Sequence, residues 1–174
     1  MKSLIAILTC IGTIFPFTSP LLWEGTGVGS LGFSLEQKND TVAMVTLRTD
    51  STCDHWELPY PVYRFATGDV DGDGRIDALV GVVKRTRYFK EVGRRIFIFK
   101  NYHGLVRPLW MGSKLGGILE DFRFKEGAVR ALERTADGQY VVAEYRWAHF
   151  GMGFDRFLVQ NVGREEALNI FNQD

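Results

Sequence analysis

Hydrophobic and polar positions in this chain alternate in short runs separated by turn residues, a spacing that predicts strands rather than helices. The predicted strands are Thr41–Arg48, Val62–Gly68, Ile76–Arg85, Arg94–Lys100, Leu105–Met111, Ile118–Phe124, Ala128–Arg134, Tyr140–Trp147 and Phe154–Gln160. Between them lie Asn101 to Gly104, Glu126-Gly127, Asp137-Gly138 and Gly151 to Gly153, residue types that tolerate tight reversals. Ala78 to Val83 and Ile96 to Phe99 are apolar without alternation, so both faces of those strands should be covered. In Tyr140–Trp147, Val141, Ala143, Tyr145 and Trp147 share one face while Glu144 and Arg146 take the other, which reads as a half-buried strand. Only Arg164–Asn172 has helical spacing, through Ala167, Leu168 and Phe171, and it is expected to pack against a sheet edge.

Strand order suggests a weak internal repeat. Units from about Phe65 to Met111 and from about Ile118 to Gln160 each have the four strands of a propeller blade. Residues Leu31 to Tyr60 could supply part of a third. Two or three blades cannot close a ring, because propellers typically need four to eight. The expectation is an all-β chain of antiparallel, blade-like meanders, a partial β-propeller or a sandwich-like arrangement, with a short C-terminal helix. Exposed sheet edges leave self-association into a homo-oligomer open.

The N-terminus carries a different pattern. Met1-Lys2 precedes a run from Leu4 to Phe17 that is nearly all apolar but shorter than the roughly 20 residues a membrane span needs. It fits the apolar region of an export signal. Ile7-Leu8-Thr9-Cys10 loosely resembles a lipoprotein signal, and a lipidated Cys10 would be the one route to a membrane anchor. Residues 1–19 are accordingly read as a signal peptide or lipoprotein signal, 20–40 as linker and first turn, and 41–174 as a single β domain. The expected location is the periplasm, the cell surface or the medium. Cys53, the second of two cysteines, is read as a buried or idle thiol.

Composition adds one exclusion. The 21 basic residues balance 21 acidic ones, so no global field favours nucleic acid. Hydrophobic residues at 45% leave enough material for a packed core.

The sharpest chemistry is Asp69-Val70-Asp71-Gly72-Asp73-Gly74-Arg75-Ile76-Asp77. Calcium takes six to eight oxygens, and carboxylates at positions one, three and five of such a loop converge on one point. Those roles fall to Asp69, Asp71 and Asp73, with Gly74 at the sharp turn, the carbonyl of Arg75 at position seven and Asp77 at nine. An EF-hand is excluded because position twelve is Val80 rather than a bidentate Glu. A metal-free acidic turn would crowd four carboxylates around Arg75, the only cation within the loop.

Phe65 to Gly81 resembles an FG-GAP or VCBS-type repeat, the calcium-loop unit of integrin-α-like β-propellers. The resemblance implies Ca²⁺ held in a hairpin at a blade edge, in exported modules that mostly mediate binding. It is specific over about residues 65–83. The second unit offers only Glu126-Gly127 where an acidic loop would recur.

Other constellations carry less. Gly27 to Gly32 spells GxGxxG without the strand and helix a dinucleotide site needs. Lys84 to Lys90 with Arg94-Arg95 reads as a solvated basic tip that keeps an edge soluble. Trp147, His149, Phe150, Met152 and Phe154 form an aromatic, glycine-hinged stretch, read either as core packing or as a platform for a sugar ring or protein partner. Ligand-binding candidates are Trp147, His149, Phe150 and Phe154. The functional expectation is an exported calcium-binding β module with a structural role or one in binding a protein or glycan. The alternative is a secreted hydrolase or carbohydrate-active enzyme using loops near His103 and His149.

Overall fold

Among the described residues, eleven strands form three antiparallel sheets, and within each sheet every strand pairs with its neighbour in sequence. The computed structural model describes residues 31–87, 90–112 and 114–173. The export segment, Cys10 and most of the GxGxxG stretch lie outside the described residues.

The first sheet is β1 (Gly32–Asn39), β2 (Val42–Arg48) and β3 (Cys53–Leu58). The second is β4 (Val62–Gly68), β5 (Asp77–Lys84), β6 (Gly93–Tyr102) and β7 (Leu105–Met111). The third is β8 (Ile118–Lys125), β9 (Ala128–Arg134), β10 (Tyr140–Ala148) and β11 (Gly151–Val162). One helix, α1 (Arg164–Asn172), closes the described chain. The second and third sheets coincide with the two predicted four-strand units. The fold is all-β and sandwich-like, a stack of three antiparallel meanders with one short helix.

Burial explains the stacking. Ala43, Val45 and Leu47 on β2 face Val80, Val82, Phe97 and Phe99 of the second sheet in one core. The opposite side of that sheet presents Leu79, Ile96 and Ile98 to Phe122, Val129, Ala131 and Ala143 of the third. The second sheet is thus apolar on both faces, which is why β5 and β6 lack alternation. Asp54 on β3 accepts the Val106 N–H at 2.9 Å, and Thr52 donates to the Gly104 carbonyl at 2.9 Å, joining the first sheet to the second. Arg64 and Asp121 form a two-point ion pair between the second and third.

Several expectations need correction. A strand, β1, occupies Gly32–Asn39, within the stretch read as linker and first turn, and β3 was not predicted at all. Cys53 is exposed rather than buried. The helix lies across a sheet face, not at an edge: Ala167 and Phe171 pack on Leu132 and Val142. Because α1 covers that face, β10 is buried on both sides over Val141–Tyr145, and Glu144 is only 4% exposed. Both its oxygens receive arginines, Arg130 at 3.1 Å and Arg156 at 2.7 Å. Arg130 also donates to the Gln173 carbonyl at 2.6 Å, and Arg123 to that of Asn172 at 3.2 Å. These two sheet arginines cap a helix whose own last turn has no basic residue.

Candidate metal centre

The acidic loop connects β4 to β5, and its residues organise themselves through their own side chains. Asp69 accepts backbone N–H groups from Gly72 at 2.8 Å, Asp73 at 3.1 Å and Gly74 at 2.9 Å. Asp73 accepts the N–H of Arg75 at 2.9 Å. Gly74 has φ of 81°, the left-handed conformation expected at the sharp turn.

Asp77, the first residue of β5, has no exposed surface. One of its carboxylate oxygens accepts the Val70 N–H at 3.0 Å. The other, Oδ1, is buried without a hydrogen-bond partner. Burial, followed by the charges of Asp71 and Asp73, pushes the carboxyl pKa up to about 7. Carboxylate oxygens of Asp69, Asp71 and Asp77 lie within 4.8 Å of one another, a group able to hold a metal ion. A buried carboxylate with one orphaned oxygen, grouped with two further carboxylates, is the electrostatic deficit a cation relieves.

Asp73 stands outside this trio of side chains, and the side chain of Arg75, whose carbonyl is the expected ligand, is exposed. The loop's nearest cation is one the sequence reading missed. Lys100, from β6, reaches Asp71 at 2.9 Å and Asp73 at 3.8 Å. Its hydrogen bond to Asp71 raises the lysine pKa. Arg75 is therefore not the only cation at the loop. Strand register could have indicated Lys100: Ala78 pairs with Phe99, so the next residue falls beside the loop's base.

The remaining candidates disperse. Glu126-Gly127 is a tight hairpin turn with φ of 50° and 71°, without room for a second metal loop. His103 and His149 occupy turns in two different sheets, at φ of 52° and 56°. Neither histidine is hydrogen-bonded to an acid among the described residues. Phe150 is 90% exposed, whereas Trp147 and Met152 pack against the core between the second and third sheets. Phe154 stacks edge-on with Tyr145 and lines a separate cleft that Trp147, His149 and Phe150 do not reach. In the basic tip, Lys84 lies 4.0 Å above the Tyr60 ring and Arg94 4.8 Å above Tyr63, so neither is merely solvated. Tyr88 and Phe89 lie outside the described residues. Among the described residues no helix is long and apolar enough to cross a membrane.

The fold and its acidic loop together define the class: an all-β stack of meanders with a carboxylate group able to hold a metal ion. Comparison with family models, with curated proteins and with solved structures finds no match.

Proposed function

We propose that this chain is an exported β module of the FG-GAP or VCBS type, in which Ca²⁺ orders the loop from Asp69 to Asp77 and the module binds a protein or glycan. The observation that carries the metal assignment is the partnerless oxygen of fully buried Asp77, beside Asp69 and Asp71. Calcium suits an all-oxygen donor set built from alternate carboxylates, whereas magnesium usually retains several waters and takes fewer protein ligands. The role is structural: the ion neutralises the converging carboxylates and pins the loop to the base of β5. The apolar run from Leu4 to Phe17 supports export.

Melting the protein with calcium and with chelator tests this. A ligand that binds only the folded state stabilises it by about 2.7 kcal/mol at a hundredfold excess over Kd. In a domain of this size that raises Tm by about 5–10 °C. Asp77→Asn should remove most of the gain. Superimposable wild-type curves in calcium and in chelator would refute the metal assignment.

A further inference from the structure

β11 is the longest of the described strands, at twelve residues, and it is an edge of its sheet. β10 pairs with one side of it, and no strand among the described residues pairs with the other. An open edge presents a row of backbone N–H and C=O groups to any chain that can match it. Residues 154–157, in the middle of this edge, are all exposed. Phe154 and Phe157 are 53% and 46% exposed, and their rings lie 4.5 Å apart. Apolar surface at a free edge favours association.

A bulge restricts what can match. Tyr145 pairs with Phe154 and Glu144 with Arg156, so Asp155 is an extra residue in β11. Phe154 and Phe157 therefore share a face although they are three apart, opposite Tyr145 and Ala143. Asp155 and Arg156 turn to the other face, where Asp155 accepts Arg146 at 3.0 Å and Arg156 pairs with Glu144 at 2.7 Å. A regular strand has one residue between successive positions on a face, whereas this one has two. A straight strand laid along the edge falls out of step at the bulge. A second β11, antiparallel and related by a two-fold axis between Asp155 and Arg156, brings the same two residues and stays in step.

We propose that two copies of this chain pair antiparallel through β11, joining two four-strand sheets into one of eight strands. The axis sets the register. Phe154 of each copy meets Phe157 of the other on one face, and Asp155 meets Arg156 on the opposite face. No charge has to be free for this. The contact links the Glu144–Arg156 pair of one copy to the Asp155–Arg146 pair of the other, in a row of alternating sign. The side chains of Asp155 and Arg156 are 38% and 60% exposed, which leaves each open to a further partner. The proposal is independent of the metal loop, which joins β4 to β5 in a different sheet.

Sedimentation velocity on the full chain, over a range of concentrations, tests it. Register shifts again after Phe157, which confines the pairing to a short stretch. A contact of that size predicts a monomer–dimer equilibrium with Kd of roughly 1–100 µM. Asp155→Lys sets a lysine against Arg156 of the second copy, and Arg156→Glu sets a glutamate against Asp155. Each variant alone should dimerise about tenfold more weakly than wild type. Mixed in equal amounts, the two variants restore both opposite-charge contacts, and their heterodimer should return to within about threefold of the wild-type affinity. Amide hydrogen exchange over residues 153–158 of the wild type should slow as concentration rises. That measurement carries the test should Arg156→Glu, beside buried Glu144, fail to fold. A monomer up to about 500 µM, an association that neither substitution weakens, variants that do not rescue each other, or exchange indifferent to concentration would overturn the proposal.

Discussion

The second and third sheets are the same four-strand meander, yet they differ at the first connection and in how each satisfies a carboxylate it buries. In the third sheet β8 turns into β9 through Glu126-Gly127 alone, whereas in the second, residues 69–76 intervene between β4 and β5. Reversing the chain does not require the longer loop, since the third sheet manages with two residues. The second sheet also carries more acid than a turn needs, and it buries Asp77 with one oxygen unpartnered. The third buries Glu144 almost as deeply but supplies Arg130 and Arg156 from its own strands. A buried carboxylate whose oxygens all meet built-in partners completes a fold; one left with an orphaned oxygen points to a cation taken from solution.

The largest way to break this contrast is pH. Folded Asp77 releases its proton near pH 7, and unfolded aspartate near pH 4. In chelator, the folded state therefore holds more protons across that window. The stability of wild type relative to Asp77→Asn should fall as pH rises from about 4 to about 7, by up to about 1.4 kcal/mol per unit. Calcium should reverse the trend, because it binds the ionised form. Denaturant titrations of both proteins at several pH values measure the difference, and parallel pH profiles in chelator would count against an isolated Asp77.

Glu144→Ala comes next. It strands Arg130 beneath the helix and should destabilise the protein by about 3 kcal/mol, equally in calcium and in chelator. A loss confined to the metal-bound protein would contradict the assignment of built-in cations to this sheet.

Lys100→Met sharpens the comparison by removing the cation that the second sheet supplies to Asp71. Calcium affinity, read by titration calorimetry, should tighten by about fivefold, roughly 1 kcal/mol, as lysine no longer competes for Asp71. The smallest effect belongs to the tight turn. Glu126→Asn should stabilise the protein by about 0.5 kcal/mol in urea unfolding, since asparagine adopts positive φ more readily than glutamate.

Much of the scaffold was legible because its strands are long, local in pairing and bounded by turn residues. The predicted Leu105–Met111, Ala128–Arg134 and Arg164–Asn172 match β7, β9 and α1 end for end. The unpredicted β3 alternates too, but its inward positions are Asp54, Trp56 and Leu58, and an inward aspartate hides the pattern. Asp54 faces inward because a strand in another sheet, β7, supplies the Val106 N–H to receive. Glu144 was read as outward for a related reason, since strand periodicity separates the two faces without saying which is later covered. The loop carboxylates were visible as a motif, whereas Asp77's missing partner and Lys100's approach depend on burial and on register between strands. The cleft that Phe154 lines beside the third sheet could not be read at all: its walls come from positions as far apart as Glu91 and Phe157.

The arginines that cap α1 bear on the order in which the molecule assembles. Nine residues with an acidic first turn and no basic residue in the last are too few to hold a helix alone. Its stabilising charges, Arg123 and Arg130, sit on β8 and β9, and Arg130 is held in place by Glu144 of β10. Each meander can form from neighbouring segments as it leaves the ribosome, but the tail gains its cap only once three strands of the last sheet are in register. The helix therefore has its cap only while β8, β9 and β10 keep their register, so its docking reports on the order of the sheet beneath it.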